Sequence, residues 1–273
     1  MPACSLAELG IDPSGAACEL AYSAPFRLLE DDDVALIRAS VARHAHAARA
    51  GEVGAAILPD LAMRDPDVRD LVLAPRYLAR IREHLPIPVR IHPMGTNLAH
   101  VNIQLDGMDV FDWHVDSSPL SVVVMLSDVL DEDGGTEVRD AQGRVRSLHY
   151  PGAGWAFVLH GSRVQHRARP TRWPERVTMV TSLLPCDPFV RDTKNLDLAL
   201  QYTDPALVAQ DYLTHRLQRL REQAAALSEA SDDLALVATR LELVQLELAD
   251  TLRTIAAARA RIASSRPDAD APR

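Results

Sequence analysis

Three kinds of periodicity succeed one another along the chain. Val34, Ile37, Val41 and Ala45 recur at helical spacing, which predicts a helix opening in Asp31-Asp32-Asp33 and running to about position 48. Those carboxylates suit an N-cap and the positive end of a helix. A second helical stretch is expected at 75–84, whereas 1–25 mixes small residues and prolines without a clear period. From Ile87 the pattern changes to short apolar runs, at 89–93, 98–105, 121–126, 136–139, 145–149, 155–160, 165–168 and 176–184. The turns between them carry Gly134-Gly135, Gln142-Gly143, Pro151-Gly152-Ala153-Gly154 and Gly161-Ser162, residues that supply the φ angles tight turns need. An antiparallel barrel or sandwich of about eight strands follows.

Beyond Asp204 the period becomes helical again. Leu213, Leu217, Leu220, Ala224 and Leu227 step by four and three residues, and after a turn or cap at 228–233 the stripe resumes in Leu234, Val237, Leu241, Val244, Leu248 and Ile255. Two long helices, or one bent helix, are expected, with a frayed tail at 264–273. A hairpin folded back on the barrel and a homodimer contact through these helices fit the stripe equally. The expected organisation is therefore a β domain with N-terminal helices over 1–203 and a helical extension over 204–273.

Composition narrows the function classes. The 273 residues include 29 Lys+Arg against 38 Asp+Glu, a net charge of −9, which argues against a general binder of nucleic acid or of anionic membranes. With 47% apolar and 25% charged residues the chain can bury a sizeable core, which excludes wholesale disorder. Cys4, Cys18 and Cys186 are too scattered for a disulfide framework or for paired Cys-x-x-Cys zinc spacing, so a reducing, cytoplasmic setting is expected. No apolar run approaches the roughly 20 residues of a membrane span, and the first ten residues lack an export signal's basic and apolar segments.

The densest chemical signal is Trp113-His114-Val115-Asp116, followed by His166 fifty-two residues after His114 and by Arg176 ten residues later. In a strand, residues i and i+2 share a face, so His114 and Asp116 can hold one ion together, and His166 can return as a third ligand after the intervening strands. Two imidazoles and a carboxylate leave one face of an octahedral ion open, the arrangement that suits Fe(II) in oxygen activation. A His-x-Asp tripeptide alone occurs by chance, and His160 rivals His166. His149, His92 and His100 read as structural or pocket-lining. Arg176 and Thr178 also share a strand face and form a clamp for a carboxylate, although a salt bridge from Arg176 to Glu137 or Asp128 is the ordinary reading.

The ordered set His114-x-Asp116, Gly134-Gly135-Thr136, Pro151-x-x-Gly154, His166 and Arg176-x-Thr178 resembles the 2-oxoglutarate and Fe(II)-dependent dioxygenases, most closely the prolyl-hydroxylase-like branch, over roughly 87–185. The resemblance implies a mainly β fold, a double-stranded β-helix or jelly-roll core with supporting helices. It also implies iron held by His114, Asp116 and His166, 2-oxoglutarate gripped by Arg176 and Thr178, O2 as the oxidant, and stimulation by ascorbate. Where many relatives place a tyrosine on an early strand, this chain offers Asn102 or Gln104. A carboxylate at 116 speaks against halogenation. The implied reaction is oxidation of an unactivated C–H bond, foremost hydroxylation, with release of succinate and carbon dioxide. Segments 59–75 and 106–113, with Met108, Phe111, Trp113 and nearby Arg139 and Arg146, are expected to shape the pocket mouth. They favour a small-molecule substrate, such as an amino acid or other carboxylate. Two alternatives stand beside this reading: an inactive β-barrel module with a helical oligomerisation segment, and a cupin-like dioxygenase that needs no cosubstrate.

Overall fold

The computed structural model describes residues 2–50, 55–105, 112–128, 134–170, 174–192, 196, 200, 203–229 and 232–265. The chain divides into two compact units, Met1–Cys186 and Asp187–Arg273. The first contains strands β1 (Cys4–Ser5), β2 (Leu20–Tyr22), β3 (Phe26–Arg27), β4 (Arg49–Ala50), β5 (Ala56–Leu58), β6 (Val89–Ile91) and β7 (His100–Leu105). These are followed by β8 (Leu120–Met125), β9 (Thr136–Arg139), β10 (Val145–Leu148), β11 (Trp155–Leu159), β12 (Gln165–Ala168) and β13 (Glu175–Pro185). The eight runs of the barrel pattern all appear as strands, β9 and β12 with the expected bounds. Strands β1 and β2 lie within 1–25, where the sequence has no clear period, and β3 to β5 lie outside the expected strand runs. They are two or three residues long, too short to show alternation.

Among the described residues, the larger sheet has the order β1-β2-β11-β8-β13-β7-β5-β4, with β3 against β11 and β6 against β13, and a smaller sheet has the order β10-β9-β12. Cross-strand partners in an antiparallel ladder share a face. Thr178 pairs with Met125 on one side and Asn102 on the other, and Arg176 pairs with Gln104, so these five residues lie on one face of the larger sheet. Val123, Met125 and Phe157 from that face join Val138, Leu148, Tyr150 and Val164 in one apolar cluster, which lies between the two sheets. The opposite face, with Val101, Val122, Val124, Val158, Val177 and Met179, packs against helices. β13 alternates between the two environments and is buried through most of its length, which accounts for its long, nearly unbroken apolar run.

The covering helices are α1 (Asp31–His44), α2 (Leu61–Arg64), α3 (Pro66–Leu73) and α4 (Pro75–Arg82). Val34, Ile37 and Val41 of α1 are buried as their spacing predicts, but the N-cap is Glu30, whose N–H donates to the Asp33 carboxylate at 3.2 Å. The helix gives way at Ala45–Ala47 to a 3-10 turn rather than continuing to position 48. Asp65 caps α3 by accepting from the Asp67 N–H, and Pro66 and Pro75 open α3 and α4 at the position where proline's missing N–H costs nothing.

The second unit includes two long helices, α5 (Pro205–Glu229) and α6 (Leu234–Ser265). They are antiparallel partners, because Glu247 of α6 accepts hydrogen bonds from Arg216, Arg219 and Gln223 of α5 at 2.6, 2.6 and 2.9 Å. The leucine stripes are not the faces that meet in the hairpin seam: Leu213, Leu217, Leu241 and Leu248 are exposed, while Tyr212, His215, Arg216, Arg219, Gln223 and Glu247 are buried. The hairpin is closed by a buried ionic network in which Glu247 takes both guanidiniums, a pattern that apolar periodicity does not reveal. Among the described residues no helix is long and apolar enough to cross a membrane.

Candidate metal centre and carboxylate clamp

His114, Asp116 and His166 converge. The segment carrying the first two forms an isolated bridge with β12, His114 N–H donating to the His166 carbonyl at 3.1 Å and His166 N–H to the His114 carbonyl at 2.9 Å. The two rings lie with centroids 4.5 Å apart, and one ligand atom from each of the three residues falls within 4.8 Å of the others. His160 is not in this group.

Each element of the cluster is oriented by a neighbour. His114 Nδ1 lies 2.8 Å from the Asp112 carbonyl, and His166 Nδ1 lies 2.9 Å from the Val164 carbonyl. A carbonyl only accepts, so both rings carry the proton on Nδ1 and present the Nε2 lone pair, the tautomer a metal-binding imidazole needs. The His166 Nε2 lies 3.5 Å from Asp116 Oδ1. Asp116 is held by its own N–H on the Gly161 carbonyl at 2.8 Å and by the Ser121 hydroxyl on Oδ2 at 2.6 Å. Burial pushes the Asp116 carboxyl up, but His166 and the Ser121 hydroxyl outweigh it and hold the group well below the usual carboxylate range. Burial pushes His166 down and the adjacent Asp116 charge more than reverses this, whereas burial and His166 together lower His114. The set is therefore an anionic oxygen facing two imidazole nitrogens, a donor set for an octahedral divalent transition metal.

Trp113, next to His114, stacks under two guanidiniums, Arg139 at 4.0 Å and Arg167 at 4.6 Å from the ring centroid. Arg167 also pairs with Glu137 at 2.8 Å. That pair disposes of Glu137 as the ordinary partner of Arg176. Arg146, expected near the pocket mouth, instead binds the N-terminal segment through Cys4 Sγ and the Glu8 carbonyl. Met108 and Phe111 lie outside the described residues.

Arg176 is only 3% exposed, and among the described residues no carboxylate pairs with it. Its Nε donates to the Gly134 carbonyl at 2.5 Å and Nη2 reaches the Gly135 carbonyl at 3.4 Å, so it spans from β13 to the turn that leads into β9. Thr136, next in that turn, pairs with Ala168, two residues along β12 from His166. Arg176, on the larger sheet, thus reaches the turn that opens the small sheet carrying His166. Both polar side-chain atoms of Gln104, across the ladder from Arg176, are buried without a hydrogen-bond partner. Asn102, across from Thr178, is engaged with His100 at 2.8 Å. A buried guanidinium and an orphaned amide side by side are costly unless an anion joins them.

No family model matches the chain, and no curated protein does. Solved structures do. The non-heme alpha ketoglutarate dependent epimerase SnoN from nogalamycin biosynthesis superposes with a TM-score of 0.50 at 17% identity, over 60% of this chain and 78% of that one. The fold is that of the non-heme, 2-oxoglutarate-dependent enzymes. The carbocyclase SnoK from the same biosynthesis shares this 2-oxoglutarate-dependent fold, with a TM-score of 0.50 at 16% identity over 68% of this chain and 88% of that one.

Three residues around the centre escape a sequence reading. Ser121 reads as the start of an apolar strand, Gly161 as a turn residue, and Tyr150 as part of a loop. In the structure Ser121 and Gly161 fix Asp116, and the Tyr150 hydroxyl lies 2.9 Å from Thr136 Oγ1. Burial raises the Tyr150 phenol, against the nearby Arg176 charge. Only Gly161 leaves a trace in the sequence, as a glycine directly after a strand-ending histidine.

His160 has a different consequence. It is 1% exposed, neither ring nitrogen has a hydrogen-bond partner, and burial, aided by the Arg163 charge, pushes its pKa down to about 4. The unfolded chain takes up this proton first, near pH 6.5, so the neutral ring favours folding above that pH. The contribution, about 3 kcal/mol, is lost as the pH falls from 6.5 toward 4. Urea unfolding of His160→Leu should show a flatter fall in stability between pH 7 and 4.5 than the parent; parallel curves would refute this.

Proposed function

We propose that this protein is an Fe(II)- and 2-oxoglutarate-dependent oxygenase that oxidises a C–H bond of a small molecule, with hydroxylation as the leading outcome. Its two sheets with a cluster between them are the double-stranded β-helix of that class. The observation that carries the reading is Arg176: a guanidinium buried without a counter-ion among the described residues, bonded to the turn that leads into the small sheet on which His166 meets His114 and Asp116.

His114, Asp116 and His166 would hold the iron, with the Asp112 and Val164 carbonyls fixing the imidazole tautomers and Ser121 fixing the carboxylate. Bound there, iron and 2-oxoglutarate would let O2 act as the oxidant, one oxygen atom going to succinate as carbon dioxide is released and the other serving to oxidise the C–H bond. Arg176 offers a planar donor fork to the distal carboxylate of 2-oxoglutarate, Thr178 a hydroxyl, and Gln104 an amide that otherwise has no partner. Asn102 is committed to His100 and contributes less. The apolar cluster of Met125, Phe157 and Val123 lies on the same face of the larger sheet as Arg176 and Thr178, and such a lining excludes water from the reacting centre.

Epimerisation and ring closure, named for SnoN and SnoK, are further outcomes on this fold. They support a small molecule of specialised metabolism as the substrate. Fe(II)-loaded protein should convert 2-oxoglutarate to succinate, with release stimulated by the true substrate in a panel of small carboxylic acids and amino acids. Oxygen consumption without any need for 2-oxoglutarate would favour the cupin-like alternative, and no turnover with any addition the inactive module.

Gly161 offers a test of the metal centre that spares every ligand. A methyl at this position would lie 2.5 Å from Asp116 Oδ2 and 2.8 Å from its Cβ, so the carboxylate must shift. Gly161→Ala is expected to weaken Mn(II) or Fe(II) binding by about 10- to 100-fold, the usual cost of disturbing a ligand's orientation. Calorimetric titration reads it directly, and unchanged affinity would mean that Asp116 is not a ligand.

A further inference from the structure

We propose that the α5–α6 hairpin is a dimerisation element whose leucine face pairs with the same face of a second copy of this chain. The inference rests on the second unit alone and does not depend on the chemistry of the first.

The hydrogen bonds from Arg216, Arg219 and Gln223 to Glu247 fix the seam of the hairpin and its register, with residue 219 opposite 247. Each stripe residue follows a seam residue by one position: Leu217 after Arg216, Leu220 after Arg219, Leu248 after Glu247 and Leu252 after Thr251. One position is a turn of about 100° around a helix. In an antiparallel pair, equal turns from a shared seam bring both stripes to the same side of the hairpin. The register then sets Leu213, Leu217, Leu220 and Leu227 alongside Leu252, Leu248, Val244 and Leu241.

Among the described residues, this face has no cover. Leu213, Leu217, Leu234, Leu241, Leu248 and Leu252 are each between 39% and 77% exposed. Together they offer on the order of 600 Å² of apolar surface, so a two-fold pairing would bury about 1,200 Å² in total, the lower edge of the range for stable interfaces. Two arguments select a second copy as the occupant. Both stripes keep a strict alternation of three and four residues, 213–217–220–224–227 and 234–237–241–244–248, with no charged residue among them. A 3.5-residue repeat keeps facing a partner only if that partner is another helix with the same repeat, and the two stripes are equal in length. The charges nearest the seam, Arg216, Arg219 and Glu247, are consumed within the hairpin, and the chain's net charge of −9 works against an anionic lipid surface.

Sedimentation equilibrium of the full chain should give twice the 29.9 kDa chain mass at micromolar concentration. Leu217→Glu combined with Leu248→Glu should raise the dissociation constant at least about a hundredfold, since it replaces apolar burial with four charges per dimer. Far-UV circular dichroism should show the helices retained. Because a charged variant can also unfold, the parent chain supplies a second reading: its unfolding temperature should rise with protein concentration, as mass action requires of a dimer. A chain that remains monomeric up to about 100 µM, with a concentration-independent unfolding temperature, overturns the proposal, whether or not it co-floats with phosphatidylcholine vesicles. So does a dimer that the double substitution leaves intact while the helices persist.

Discussion

Replacing Arg176 by methionine should raise the dissociation constant for 2-oxoglutarate by about a hundred- to a thousandfold while leaving the affinity for the divalent metal within a factor of about three. The guanidinium sits 3% exposed and, among the described residues, has only the Gly134 and Gly135 carbonyls as partners, so burial strips it of water without an anion from those residues. Burial accordingly lowers its pKa, with the Tyr150 phenol acting in the opposite sense. A dicarboxylate restores the missing charge, and losing one side of a desolvated, hydrogen-bonded ion pair typically costs 2–5 kcal/mol. Methionine nearly fills the space of the aliphatic stem and needs no counter-ion, so the ligand-free variant should unfold close to the parent's temperature. The signature is a divergence between the two proteins in the presence of ligand: 2-oxoglutarate should stabilise metal-loaded parent in a thermal melt and leave Arg176→Met unmoved. Arg176→Lys should fall between them, because an ammonium keeps the charge and loses the fork. Calorimetry showing equal 2-oxoglutarate affinity in parent and Arg176→Met would remove the clamp from the proposal.

What made this site legible is the order of its residues rather than any one of them. His114 and Asp116 share a face because the backbone is extended there, and the repeating strand-and-turn pattern up to His166 shows that the chain has room to return. Periodicity located β6 to β13 for the same reason, since each alternates or is buried on both faces. It failed for β1 to β5, whose few residues borrow their pairing from β11 and β7. Contacts made by common residues through backbone atoms leave no mark in a sequence, which is why Ser121 and the Gly134 and Gly161 carbonyls were invisible. The leucine stripes are legible but leave their partner open. An apolar stripe marks a surface that gains by leaving water, but it does not say which partner takes it there. In the hairpin that role falls to Arg216, Arg219 and Glu247, whose charges the pattern reads as solvent-facing.

His166→Ala should abolish specific metal binding, with a fall in Fe(II) or Mn(II) affinity of at least about a thousandfold, and Asp116→Ala should do the same. Two residues from one short segment cannot define an octahedral face, and His166 is the proposed third ligand, tied to this segment through both its ring and its backbone. The backbone bridge survives substitution, since His166 N–H and carbonyl face His114 whatever the side chain. The apo variant should therefore keep its fold and lose only the ion. Metal at a hundred times the parent's dissociation constant adds about 2.7 kcal/mol to folding stability by mass action, and that increment should vanish in His166→Ala. Ser121→Ala supplies the graded control: it removes the hydroxyl on Asp116 Oδ2 but no ligand, and should cost about tenfold in affinity. If instead His160→Leu lost the metal and His166→Ala retained it, the third ligand would be the other histidine. That outcome would require the loop at 160–164 to rearrange, because both ring nitrogens of His160 are now buried without a partner and lie outside the cluster.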